Sequence, residues 1–444
     1  MNPITILFFL LSIVCSTSCS PPNRTVKVDI IKLDSLFTEL EKHNLGMGSL
    51  AISVNDQISY QNSFGYAQVE DSIQSSTETF YRIGSVTKMF TSVLVFQLIE
   101  EGKLNLDDRV NIYFPEVPNA KLISVKNLLN HSSGLSNYSD EPDFQKWKYE
   151  AKAKKELLDV IAKTKPNFEP GSRHEYSNSN FLLLSLILEK VSGKTYQKLL
   201  NNRILSQVDL TKTYYEASAD TVSRKSRSYK YANGSWNLQR EDIAENYLGA
   251  GVIVSTPSDL LKFIDALFAF KLMEEGSVRK MISTNQDYGL GIFKFQFESD
   301  FAYGHEGRIN EYYTTLIYFP NSKLSIAYCT NGIGYPRDDI IKAVYQISND
   351  QYYELPNFRG IRSSQESLNE FTGNYASSIM PIEVTCEIEN GRLIVETQGT
   401  PFETTRISEN YFANEQFGYF FEFLPEKGIL LIKETDNVYA LKKK

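Results

Sequence analysis

The sequence predicts an α+β protein, an antiparallel β-sheet flanked by helices, with a small all-β domain at its C-terminus. Alternating strand patterns open the chain, helical patterns fill its middle, and strand patterns return before an aperiodic stretch. Beyond that stretch only short alternating runs remain, so the two parts differ in class. At 444 residues the chain exceeds one ordinary domain, and one large domain plus a smaller one is the expected division. Hydrophobic residues at 42% and aromatics at 13% supply packed cores and exclude extensive disorder. The net charge of −8 comes from dispersed carboxylates, and no basic stripe marks a phosphate-binding face. Nucleic acid is therefore not an expected partner.

The first element is an export signal. Residues 4–14 form an apolar run of signal-peptide length, short of the roughly 20 residues that span a membrane. Residues 1–20 are expected to be removed, although no Lys or Arg precedes the run. Cys19 follows Ser16-Thr17-Ser18 as in a loose lipoprotein cleavage box, and is favoured over Cys15, which follows bulky Val14. Simple secretion and lipid anchoring at Cys19 are the two expectations. Both place the protein in the periplasm or cell envelope, with membrane contact only through such an anchor. Cys329 and Cys386 are too few for a disulfide framework, and Cys386 falls on the apolar face of an alternating run over 382–388, as a core thiol. His43, His131, His174 and His305 show no metal-ligand spacing, so neither a metal nor an organic cofactor is expected.

Residues 25–350 make the larger domain. Runs over 49–54 and 58–62 alternate around Asn55-Asp56 and predict a hairpin. Helical spacing over 89–101 stops at Gly102, and over 181–191 at Gly193. Strand patterns return over 312–319 and 324–329, joined by Pro320-Asn321-Ser322. Periodicity is lost over 351–367, where Pro356, Gly360 and Ser363-Ser364 mark a linker. Residues 368–444 form the all-β module, with Asn390-Gly391 as its clearest turn. It is expected to fold as a separate unit without catalytic residues.

The chemistry is carried by short elements. Ser85 opens a predicted helix and Lys88 follows one turn later, so the two share a helix face. A serine hydroxyl needs a base, and a lysine serves only when desolvation or nearby positive potential lowers its pKa. The helix N-terminus supplies that potential, together with donors for a developing oxyanion. Ser277 and Lys280 have the same spacing, but no apolar helix follows them. Tyr-x-Asn occurs three times: Tyr60-Gln61-Asn62 lies in the first hairpin and Tyr231-Ala232-Asn233 in a turn signal. Tyr176-Ser177-Asn178 instead immediately precedes a helix, which Asn178 could cap. His305-Glu306-Gly307 is the sole H-x-G and precedes a strand.

Ser85-x-x-Lys88, Tyr176-x-Asn178 and His305-x-Gly307, in this order, resemble the three elements of class C β-lactamases, the related DD-peptidases and their esterase relatives. The surrounding text is similar too, in Leu128-Leu129-Asn130-His131-Ser132-Ser133-Gly134-Leu135, Pro170-Gly171-Ser172 and the run from Gly249 to Leu260. The resemblance covers roughly residues 47–345. The terminal module looks like the lipocalin-like appendage of such proteins, opening with Phe371-Thr372-Gly373-Asn374-Tyr375.

The resemblance implies a β-lactamase/transpeptidase-like fold and a two-step acyl transfer. Ser85 would attack a carbonyl, Lys88 with Tyr176 would shuttle the proton, and water would resolve the acyl-enzyme. The backbone N–H groups of Ser85 and Arg308 would form the oxyanion hole, Asn178 would bind a substrate amide, and His305 and Gly307 would line the site. His305 stands where many members carry Lys, a departure known in DD-peptidase and esterase branches that weighs against a true β-lactamase. Neither Ser-Asp-Asn nor Lys-Thr-Gly is present, and no G-x-S-x-G elbow exists. The expected function is amide or ester cleavage of DD-peptidase or esterase type, on a small-molecule or peptide substrate that includes peptidoglycan fragments. The alternatives are a β-lactamase and a catalytically idle peptidoglycan-sensing protein. Glu306 holds a position where the family usually has a small hydroxyl residue, so an ionised Glu there would repel substrate carboxylates. Alternatively it turns away and pairs with Arg308.

Overall fold

A computed structural model describes residues 26–444 apart from 218–223, 233, 284–286, 378–380 and 415–416. The expected signal segment, with Cys15 and Cys19, lies outside the described residues. Among the described residues no helix is long and apolar enough to cross a membrane.

The main sheet has six antiparallel strands: β1 (Gly46–Val54), β2 (Gln57–Phe64), β3 (Phe293–Phe297), β4 (Asp300–Ile309), β5 (Tyr312–Phe319) and β6 (Leu324–Ile333), in the order β3-β4-β5-β6-β1-β2. Asn55 and Asp56 both take positive φ, 52° and 62°, as the two-residue hairpin between β1 and β2 requires. Pairing of β1 with β6 joins two hairpins that are more than 200 residues apart in the chain.

Helices cover both faces: α1 (Ile30–Lys42), α2 (Thr87–Glu100), α3 (Asn178–Ser192), α4 (Pro257–Phe268) and α5 (Arg337–Ser348). Strand alternation decides which residues meet which helices. Leu50, Ile52, Tyr313, Ile317 and Tyr328 pack with α1 and α5 on one face. Ala51, Leu316, Ala327 and Cys329 face the core built by α2, α3 and α4. Every residue of α2 from Thr87 to Phe96 is buried, so this helix has no polar stripe, and each large apolar side chain it buries contributes about 1.5–3 kcal/mol.

Two boundaries differ from the sequence expectation. A short 3-10 turn over Gly84–Val86 precedes α2, and α3 begins at Asn178 rather than 181. Ser177 holds the N-cap position, so Asn178 is the first helical residue and its side chain is free for other work.

After Phe371 the chain forms a nine-stranded antiparallel sheet. Its two outermost strands, Thr400–Glu403 and Thr405–Ser408, are consecutive in sequence, so the sheet curls into a barrel-like form. Cys386 is buried in its core with Phe371, Val395 and Phe423, as its alternation predicted. Other module residues, Ile407, Ala413 and Phe420, join the core of α1, α5 and the main sheet, with Phe358 from the 351–367 segment between them. Lys433, 6% exposed, forms ion pairs with Asp339 of α5 at 2.5 Å and with Glu422 at 2.7 Å.

Candidate active site

Ser85 sits in the 3-10 turn, partly exposed, and Lys88 lies one turn later, fully buried. The Lys88 Nζ reaches Ser85 Oγ at 2.9 Å, Asn178 Oδ1 at 2.8 Å and the Ala250 carbonyl at 3.1 Å. It lies 4.8 Å from the Tyr176 ring centre and 5.6 Å from that of Phe181. With all three of these neighbours neutral, burial drives the Lys88 pKa well below that of a free lysine. A neutral amine beside a serine hydroxyl can accept its proton.

Burial raises the Tyr176 pKa, so its phenol is protonated at neutral pH. The Tyr176 hydroxyl interacts with Ser85 closely enough to affect its titration, yet is buried without a hydrogen bond of good geometry. Beneath it lies His131, ring centre 4.3 Å from that of Tyr176. The His131 Nδ1 accepts from the Ser177 backbone N–H at 3.2 Å and stands 3.0 Å from Asn180 Nδ2, which fixes the Tyr176–Asn178 segment against the His131 loop. Asn178 is held on both sides, its Oδ1 accepting from Lys88 and one N–H of its Nδ2 donating to Ser139 at 2.9 Å, which leaves a second N–H and a second lone pair on the amide.

The β4 strand forms the opposite wall. It pairs with β3 only as far as Gly304, so residues 305–309 leave one edge open. Ile309 and Tyr312 close a two-residue hairpin with β5, and a closing pair exchanges its hydrogen bonds. By alternation the Arg308 N–H turns to the open edge, where the Ser85 turn packs. Glycines permit that approach. A Cβ on Gly307 would stand 2.0 Å from the Ile83 carbonyl and 3.2 Å from Ser85 N; one on Gly84 would stand 2.8 Å from Arg308 N. The Ser85 turn and the Arg308 backbone therefore pack in direct contact.

His305 projects to the same side, its ring 4.8 Å from Phe293 and 6.3 Å from Tyr176. Its Nδ1 meets the Glu306 carbonyl at 2.5 Å, while Nε2 is buried without a partner. Burial, then the nearby Lys88, lowers its pKa to about 3, so the ring is neutral where a lysine would carry charge.

Alternation also decides Glu306 and Arg308, whose side chains leave the catalytic side. Glu306 lies across from Thr315 and Arg308 from Tyr313, on the face covered by α1 and α5. The expectation that Glu306 would confront a substrate carboxylate is thereby corrected, and so is its alternative partner. Glu306 pairs with Arg337 of α5 at 2.9 Å, not with Arg308. Arg308 pairs with Asp436 of the C-terminal module at 3.3 Å, and Asp436 also reaches Arg337 at 3.1 Å.

The structure brings Ser85, Lys88, Tyr176, Asn178, His305 and Gly307 together, with Arg308 contributing backbone only. Sequence reasoning did not single out the Ala250 carbonyl, Gly84, the anchoring role of His131 or Asp436. The first three lie in or beside segments that were legible as text. Asp436 carries no sequence signal, because its role exists only through docking of the module.

The β-lactamase family model matches residues 33–349. The teichoic acid D-alanine hydrolase of Staphylococcus aureus is 29% identical over 242 residues, 54% of this chain and 59% of that protein; the chain thus spans under two thirds of the relative's length. Among solved structures, a D-stereospecific amidohydrolase from Streptomyces sp. superposes with a TM-score of 0.62 at 25% identity, over 72% of this chain and 98% of its own. An octameric penicillin-binding protein homologue from Pyrococcus abyssi superposes over 93% of this chain and 99% of its own, with a TM-score of 0.68 at 22% identity, so the likeness in fold extends into the C-terminal module. With the family model matching residues 33–349, well over half of the chain, this chain belongs to the β-lactamase family.

Proposed function

We propose that this protein is a cell-envelope serine acyl-hydrolase that cleaves an ester or amide of a D-amino acid through an acyl-enzyme on Ser85. One observation carries the reading: the fully buried Lys88 amine lies 2.9 Å from the Ser85 hydroxyl, with no carboxylate among the described residues paired to it to hold it charged. In this mechanism neutral Lys88 takes the Ser85 proton while Oγ attacks the carbonyl carbon. The oxyanion is held by the N–H groups of Ser85 and Arg308. The leaving group departs with a proton relayed from Lys88 through the Tyr176 phenol, and water then releases the acid by the reverse path. A neutral His305 leaves the site without the fixed positive charge that a lysine would give, which favours substrates lacking a carboxylate at that end. The names of the Staphylococcus and Streptomyces relatives support a D-configured substrate.

The test is a substrate panel: a D-alanyl ester, a D-amino acid amide, a D-Ala-D-Ala peptide and a chromogenic cephalosporin, alongside fluorophosphonate labelling read by intact mass. One adduct and preferential cleavage of the D-alanyl ester or amide are expected. Labelling that persists in Ser85→Ala removes the nucleophile assignment, and preference for the cephalosporin shifts the function to β-lactam hydrolysis.

A further inference from the structure

On the face of β4 opposite the catalytic residues lies a cavity of about 430 Å³, lined by Phe295 and Phe297 of β3, Ile317 of β5, and Ile341 and Tyr345 of α5. At one end stand Glu306 and Thr315, which are direct cross-strand neighbours. The Thr315 hydroxyl is 2% exposed and its Oγ1 has no hydrogen-bond partner. Such a buried polar atom is costly unless something bonds to it. Glu306 lines this end, its Oε2 paired with Arg337 at 2.9 Å, so a carboxylate stands beside an unpartnered hydroxyl and an aromatic wall.

We propose that this cavity binds a small organic cation, a primary ammonium on an apolar body, with the ammonium between Glu306 and Thr315 Oγ1 and the body against Phe295, Phe297 and Ile341. A primary ammonium pairs with the carboxylate and has three N–H donors, enough for it and the hydroxyl together. An alkyl or aryl body of a few carbons suits the lining, and rings stacked against an ammonium's neighbouring carbons gain cation–π energy as well. Burial raises the pKa of the Glu306 carboxyl to about 7, with Arg337 opposing the rise. The site is distinct from the catalytic one but touches the same strand: the Glu306 carbonyl holds His305 Nδ1. Occupation therefore bears on the position of the His305 ring.

The experiment uses the full chain as Ser85→Ala, so that acyl chemistry plays no part and the result stands whatever the fate of the proposed function. Phenethylamine, 2-phenylethanol and 3-phenylpropionate are titrated at pH 8 by calorimetry and saturation-transfer NMR. Phenethylamine is expected to bind at least about tenfold more tightly than the alcohol, with the carboxylate weakest. Glu306→Gln should erase the preference of amine over alcohol, and Ile341→Trp, which fills the cavity from α5, should abolish binding of both. Thr315→Val gives a second, isosteric check on the ammonium end should Glu306→Gln unfold. The proposal is overturned if phenethylamine shows no binding at about 10 mM, binds no better than the alcohol, or binds equally well to Ile341→Trp.

Discussion

Replacing Gly84 by alanine probes the oxyanion geometry most directly. The added methyl would stand 2.8–2.9 Å from the backbone N, C and O of Arg308, whereas carbon contacts settle at about 3.5–4.0 Å. Either β4 or the Ser85 turn must retreat by at least half an ångström or so, at the two residues whose N–H groups are proposed to hold the oxyanion. Gly84 also takes φ +50°, and a left-handed conformation costs a non-glycine residue about 1–2 kcal/mol. Loss of one oxyanion donor lowers kcat about 10²–10³-fold. Both donors are displaced here, so the upper end is expected. Because the interaction is made only in the transition state, kcat and kcat/KM should fall together. The assay is stopped-flow acylation by p-nitrophenyl acetate at a temperature where circular dichroism shows the variant fully folded. Gly307→Ala provides the control: its Cβ meets the Ile83 carbonyl at 2.0 Å but its φ is not positive, so it should lose rate without the left-handed penalty. A fully folded Gly84→Ala enzyme within about threefold of wild type in kcat/KM would refute the assignment, since one displaced donor alone predicts far more.

Three further outcomes follow from the same contacts. Lys88→Met should lower acylation by more than about 10²-fold yet raise Tm at neutral pH. The folded pKa of Lys88 lies below its unfolded value of about 10.4, so below that pH the unfolded chain binds the extra proton and wild type is penalised; the Tm gain should shrink as pH approaches 10. Glu306 has the opposite character, an acid whose folded pKa of about 7 exceeds its unfolded value. Its contribution is complete below about pH 4.3 and is lost as pH rises to about 7, so the Tm of wild type relative to Glu306→Gln should decline across that window and level off above it. Lys433→Met leaves the Asp339 and Glu422 carboxylates without their shared cation, which should cost roughly 3–5 kcal/mol in denaturant melts; a change under about 1 kcal/mol would show that the module docks without this pair.

The sequence determined the local elements and the order of the chemistry. Alternation around Asn55-Asp56 and before Pro320 was enough for the hairpins, because a two-residue period and turn chemistry act within a few residues. Ser85 and Lys88 were legible as a pair because one helical turn joins them, and Tyr176, Asn178 and His305 were legible as text in a fixed order. What the chain could not reveal were contacts set by packing between distant segments. The Ala250 carbonyl meets Lys88 across 162 residues, and Gly84 matters only because β4 approaches it. α3 starts at Asn178, where the Asn178 N–H donates to Asn137 Oδ1 and the Ser177 N–H to His131 Nδ1, partners 41 and 46 residues away in the chain. Side-chain direction was the clearest case. A single residue of register decides whether Glu306 faces a substrate or the opposite side of the sheet, and only the pairing of β4 with β5 set that register. Asp436 joined Arg308 and Arg337 because burial of Ile407, Ala413 and Phe420 docks the module on α5, and apolar burial, being non-directional, leaves no spacing in the sequence from which its partner can be read.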